Sequence, residues 1–258
     1  MFEIALDPAT WALLCAVALA AGFIDAIAGG GGMLTVPALL TAGLPPHLTL
    51  GTNKLAASFG SLTASITYFR KKLFNPRFWA ASIIATALGA LIGTMLVDYL
   101  SIAFLNKLLP VVIIVVACYS LFGQLSNVEH NKLPNLNRAT KIKQWLQGLS
   151  LGFFDGLAGP GAGTFWTASN SLLYKMNLLL NCGLARSMNF VSNFVSLITF
   201  VALGHVNFLL GITMGLFLML GAWIGAHSAI RFGSKVIRPV FNTVVIILAL
   251  KLIYEAYL

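Results

Sequence analysis

A glycine-rich segment that carries a single carboxylate occurs twice in this chain, each time inside apolar sequence. The copies are Gly22-Phe23-Ile24-Asp25-Ala26-Ile27-Ala28-Gly29-Gly30-Gly31-Gly32 and Gly152-Phe153-Phe154-Asp155-Gly156-Leu157-Ala158-Gly159-Pro160-Gly161-Ala162. Hydrocarbon can neither satisfy backbone groups freed at a helix break nor solvate an ion. Each copy must therefore be enclosed by protein or face a wet cavity.

The surrounding composition is that of a membrane protein. Of 258 residues, 59% are hydrophobic and 9% charged, against about 25% charged in a typical soluble domain. Residues 206–227 hold no formal charge and 102–122 hold only Lys107. At about 1.5 Å per residue, each is long enough to cross a ~30 Å hydrocarbon core. Glu3 and Asp7 precede the first apolar segment without a basic residue, so that segment lacks the positive n-region of a signal peptide and is expected to be retained. The net charge of +9 comes in short clusters between apolar segments, the positive-inside pattern, so nucleic acid is not an expected partner. Cys15, Cys118 and Cys182 are scattered, with no CxxC and no His at metal spacing. They read as small apolar residues, and neither a metal nor a cofactor is expected.

The likeness extends beyond the glycines. Gly152 follows Gly22 by 130 positions, and Gly51-Thr52-Asn53-Lys54 matches Gly183-Leu184-Ala185-Arg186 at 132. Gly89-Ala90-Leu91-Ile92-Gly93 matches Gly221-Ala222-Trp223-Ile224-Gly225 at 132, and Pro110-Val111 matches Pro239-Val240 at 129. Such a series marks a duplication, common in secondary transporters. The expected organisation is one transmembrane domain over 1–258, with repeat one at 8–123, a polar linker at 124–143 and repeat two at 144–258. Five apolar segments are read in each half: 11–28, 33–43, 48–69, 79–97 and 102–122, then 144–158, 163–176, 183–203, 206–228 and 237–256. An odd number inverts the second half. With the N-terminus outside, Arg70, Lys71, Lys72, Arg77, Lys132, Arg138, Lys141, Lys143, Lys175, Arg231, Lys235 and Arg238 fall inside, and only Lys107 and Lys251 outside. The positive-inside rule favours this arrangement over parallel halves. The expected fold is thus all-α and polytopic, two inverted five-segment repeats with both termini outside. Segments 33–43 and 163–176 are too short to span and read as half-helices at the glycine turns.

Two readings apply to Asp25 and Asp155. A carboxylate before a glycine turn can cap the amides of the next helix. It can also accept a proton or cation, because apolar surroundings favour its neutral form. Gly29, Gly30, Gly31 and Gly32 free the backbone to aim amides into a concave nest, where an anion fits. Gly159 and Gly161 form the second turn, made different by Pro160 and Ala162. Gly89, Gly93, Gly221 and Gly225 are assigned helix packing alone. Lys54 and Arg186 occupy equivalent repeat positions deep in apolar segments. A lone cation there costs about 2.5–3.5 kcal/mol on insertion scales, so each requires a partner. Pairing across the halves is expected, Asp25 with Arg186 and Asp155 with Lys54. Among nearby polar residues, Thr52, Ser58, Ser192 and Asn193 included, Asn53 and Asn189 are the strongest candidates to orient a substrate. His205 and His47 read as interfacial.

The run from Ala21 through Asp25 and Gly29-Gly30-Gly31-Gly32 to Met33-Leu34-Thr35-Val36-Pro37, followed by Gly51-Thr52-Asn53-Lys54, resembles the sulfite exporter TauE/SafE (TSUP) family, as does Gly152 to Gly161. The resemblance covers essentially the whole chain. It implies a multi-pass cytoplasmic-membrane transporter of small sulfur-containing or organic anions, such as sulfite or sulfoacetate, rather than an enzyme. The residues agree on sign, since glycine nests and two buried cations suit an anion. The combined expectation is a secondary transporter working by alternating access, with a small anion and the lipid bilayer as partners and a homodimer left open. Lys54 and Arg186 would attract the anion, while Asp25 and Asp155 balance charge or carry a proton. The alternatives are a cation transporter using the two aspartates and a non-transporting scaffold.

Overall fold

Helix boundaries follow local chemistry. In the computed structural model, which describes residues 6–109, 111, 133–233 and 235, α1 (Pro8–Ile27) starts where the Asp7 side chain accepts from the Thr10 amide at 3.0 Å. Hydrogen bonds from Thr10 also hold the Asp7 carboxyl below its usual range. The other helices with both ends among the described residues are α2 (Gly32–Thr41), α3 (Pro46–Arg70), α4 (Ala80–Asp98), α5 (Arg138–Leu157), α6 (Ala162–Tyr174), α7 (Leu178–Ala202) and α8 (Phe208–Phe232). Asn137, Asn177 and Asn207 cap α5, α7 and α8 by accepting a backbone amide three residues on. These caps explain two differences from the sequence reading. Helix α5 begins six residues before 144, inside the expected linker, and α7 begins five residues before 183. The fifth segment of each half, Pro110, Cys118 and Lys251 fall wholly or mostly outside the described residues.

Helices α1, α4, α7 and α8 are long and apolar enough to cross a membrane, and the chain is a multi-pass membrane protein. Their outward residues, such as Leu13, Ile84, Ile92, Leu220 and Trp223, are apolar and exposed. Helix α3 is as long but less apolar, because Thr49, Thr52, Asn53, Lys54, Ser58 and Ser61 are buried along it. The 10-residue α2 and 13-residue α6 are about 15 and 20 Å long, half-helices as expected.

Side-chain registers give the helix directions. Leu14 packs with Leu210, Gly22 meets Leu218 and Gly225 meets Phe23, so α1 and α8 are parallel. Leu55 faces Gly211 and Phe59 faces Gly215, placing α3 in the same direction. Gly89 meets Leu149 and Gly93 meets Leu157, while Thr86 and Thr94 bond Met188 and Ser196, so α4, α5 and α7 are parallel to one another. Helices α3 and α7 are antiparallel, since Gly51 abuts Phe200 whereas Ser65 bonds Ser187 at 3.0 Å. Equivalent elements of the two halves (α1 and α5, α3 and α7, α4 and α8) therefore run in opposite directions, the relation an inverted pair requires. A methyl group added at Gly89 would overlap the Leu149 carbonyl, and one at Gly221 the Leu19 carbonyl, 130 positions earlier. The same close helix contact is made twice.

These directions gather Arg70, Lys71, Lys72, Arg77, Arg138, Lys141, Lys143, Lys175 and Arg231 at one end of the bundle. At the opposite end, His205 of the α7–α8 turn pairs with Asp98 at 2.9 Å, and its ring lies 5.2 Å from that of His47. The two histidines, read from the sequence as interfacial, thus lie together at the end of the bundle away from the basic cluster. Gly89→Val and Gly221→Val are each expected to cost about 1–3 kcal/mol through overpacking. A lowered melting temperature in detergent is the measurement, with Leu13→Ala on the outer surface staying near wild type.

Candidate functional site

Two backbone reversals build the site. Gly29 and Gly159, at equivalent positions, have φ of 78° and 82°, a region that a side chain strongly disfavours. After Gly29 the copies diverge. Gly31 is right-handed at φ −52° and Gly32 is already helical, so the expectation that all four glycines serve backbone freedom is corrected. Gly31 is required for space, because a Cβ there would come within 2.8 Å of Asp25 Cβ and of the Ala21 carbonyl. The half-helices start from these turns, and the turns touch, Gly32 beside Pro160 and Gly29 against Gly163.

Both cross-half charge pairs are present. Lys54 Nζ lies 2.6 Å from Asp155 Oδ1 and donates to the Asp155 backbone carbonyl at 2.7 Å. Ser192 Oγ donates to the other carboxylate oxygen. Arg186 Nη1 donates to the Asp25 backbone carbonyl and stands 3.7 Å from its Oδ1. Arg186 Nη2 donates to the Gly163 carbonyl at 2.9 Å and to Thr167 Oγ1 at 3.2 Å. Lys54, Asp155 and Arg186 are all at most 1% exposed.

The pairs differ for a covalent reason. Asp25 Oδ1 accepts the Gly30 and Gly31 amides, both at 3.1 Å, and Oδ2 accepts Asn189 Nδ2 at 3.2 Å. The second copy has Pro160 where the first has Gly30, and proline has no N–H to offer. Asp155 takes its hydrogen bonds from Lys54 and Ser192 instead. The capping role of Asp25 is thus realised, and the open anion nest expected at Gly29 to Gly32 is corrected. Two of its amides already hold the chain's own carboxylate.

A small cavity lies between the turns, lined by Asp25, Asp155, Gly30, Gly31, Gly32, Gly159, Gly161, Thr35, Asn53, Asn189 and Asn193. Its free space suits about one or two water-sized groups. Lys54 and Arg186 do not line it; they stand behind the carboxylates. Asn53 Oδ1 accepts the Thr35 hydroxyl at 2.6 Å. The side chain of Asn193, 4% exposed, makes no hydrogen bond among the described residues. Sequence reasoning missed Thr35 and Thr167, because a hydroxyl on an apolar helix usually bonds the carbonyl one turn back, as both also do here. The signal that could have found Thr167 is its position one turn after Gly163 in a half-helix.

The profile of the family described as Sulfite exporter TauE/SafE matches residues 14–252. A probable membrane transporter protein of Haemophilus influenzae is 37% identical over 248 residues, covering 95% of this chain and 94% of the relative. One from a Sinorhizobium species is 36% identical, covering 95% and 92%. The probable membrane transporter protein YfcA of Escherichia coli is 33% identical, covering 97% and 92%. No solved structure matches.

Lys54→Met leaves Asp155 buried without its cation and is expected to destabilise the protein by about 3–5 kcal/mol. Pairing it with Asp155→Leu should restore most of that loss. Thermal unfolding in detergent reads both variants, and a double variant no more stable than the single would contradict the pairing.

Proposed function

Because the chain belongs to the sulfite exporter TauE/SafE family, we propose that it is a secondary transporter of small sulfur-containing or organic anions, with sulfite and sulfoacetate as representative substrates. One observation carries the reading: two cations at most 1% exposed are each neutralised by a carboxylate from the other half, and those carboxylates border the cavity. In this state the aspartates occupy the donors that a substrate anion would use. When Asp25 takes a proton, Arg186 and the Gly30 and Gly31 amides lose their anionic partner, and a substrate oxyanion replaces it without leaving net charge in the low-dielectric interior. Proton and anion then move together. Asn53 and Asn189 orient the anion, and Gly159 and Gly161 let the backbone approach it closely. Alternating access proceeds by movement of one half against the other about the touching turns. The cavity admits about one or two water-sized groups, so a larger anion enters as that contact opens.

In the same reading the protein sits in the inner membrane with its basic end cytoplasmic and both termini on the outer side. A second reading also has a supporting observation. Carboxylates and neutral polar groups, not Lys54 or Arg186, face the cavity, as a cation carrier would require. The sign of the ion gradient that drives flux separates the two.

Purified protein should be stabilised to heat by the anion it carries, among sulfite, thiosulfate, sulfoacetate and simple carboxylates. In proteoliposomes, Asp25→Asn should retain anion exchange but lose at least about 90% of the acceleration by an inward proton gradient. Proton-driven flux that survives this change removes Asp25 from the coupling role.

A further inference from the structure

Buried side-chain polar atoms without a hydrogen-bond partner among the described residues all fall in one region. Gln144 and Gln147 of α5, Trp166 and Tyr174 of α6, and Asn181 and Arg186 of α7 each contribute one. Ser82 of α4, which sits against Gly148, contributes the last. Every one of these residues is more than nine-tenths buried. Native interiors leave few such atoms unsatisfied, and bound water, making about three hydrogen bonds, is what usually satisfies them.

The region is also continuous. Gln147 Nε2 donates to Ser169 Oγ at 2.6 Å and to Asn170 Oδ1 at 2.8 Å. Asn181 Nδ2 donates to Ser171 Oγ at 2.8 Å, and Ser171 Oγ to the Thr167 carbonyl at 3.1 Å. The Thr167 hydroxyl accepts from Arg186, which reaches Asp25. On α6 the positions 163, 167, 170, 171 and 174 recur at helical spacing, so a polar seam runs from the glycine turn to Tyr174 beside the basic end. The first half lacks several of these groups. Where α5 and α6 place Gln144, Thr167 and Asn170, the equivalent positions are Leu14, Pro37 and Leu40, of which Leu14 is core and Leu40 packs on a core cluster.

We propose that α5, α6 and the first turns of α7 enclose a file of bound water that leads from the basic face past Arg186, whose guanidinium orders the water but relays no proton itself, to the Asp25 carboxylate 3.7 Å from it. The file makes solvent access one-sided and serves as the path by which protons reach the site from that face. The water supplies partners to the orphaned polar atoms, whatever the substrate. Its part in proton movement rests on the reading of Asp25 as the proton acceptor.

Radiolytic hydroxyl labelling of the intact protein in nanodiscs, read by mass spectrometry, tests the water directly, because radicals form where water resides. Trp166, 0% exposed, is expected to label at least about tenfold faster than Tyr68 and Phe200, which are equally buried. Tyr68 differs in that its hydroxyl is already bonded to the Ala26 carbonyl. Equal rates at the three residues overturn the proposal. Gln147→Met should slow labelling of Trp166 several-fold and leave Tyr68 unchanged. Unaltered Trp166 labelling would remove the water from Gln147, and the wild-type comparison stands even if this variant fails to fold. Proton flux in proteoliposomes reads the second part: slowing in Gln147→Met supports the path, whereas wild-type flux in a variant with lost labelling overturns it. The labelling needs no substrate, so its failure is distinct from failure of the transport reading.

Discussion

An unpaired charge cannot remain in the interior of a membrane bundle, and this chain buries two cations there. Lys54 and Arg186 are neutralised only because Asp155 and Asp25 arrive from the opposite half. Neither half can satisfy its own cation, so closing the two against each other and neutralising the site are one event. The glycine reversals at Gly29 and Gly159 let each carboxylate sit at the end of its helix within reach of the other half. The close contacts of α1 with α8 and of α4 with α5, made through Gly22, Gly89, Gly152 and Gly221, hold the helices near enough for those reaches to succeed.

The two halves present the same frame in opposite directions, and single residue differences separate the roles of the two turns. Proline at position 160 withholds the amide that Gly30 offers, so Asp155 is bound by Lys54 while Asp25 is bound by backbone amides and Asn189. Asp25 lacks so short a contact with its cation, which stands 3.7 Å away. Thr167 and Asn170 of α6, where α2 has Pro37 and Leu40, extend this asymmetry toward the basic face.

Much of the fold was legible in the sequence because hydrocarbon tolerates few arrangements. Apolar lengths located the helices to within a few residues, the short segments emerged as half-helices, and the equal spacing of Lys54 and Arg186 named both charge pairs. Boundaries failed where Asn137 and Asn177 cap helices earlier than hydropathy indicates. The occupied nest at Gly30 and Gly31 was not legible, since whether an amide points at a carboxylate depends on φ and ψ. Thr35 and Thr167 were missed because a hydroxyl that can bond its own helix carries no signal that it also bonds a neighbour.

By itself the sequence determined the solvent and the signs of the buried charges. Each follows from free energies of transfer, which depend on residue type and not on position in space. The tertiary structure alone decided that the carboxylates face the cavity while the cations stand behind them, and that unsatisfied polar atoms collect among α5, α6 and α7. Both depend on distances of a few ångströms between helices far apart in the chain, where hydrogen bonding and desolvation change most steeply.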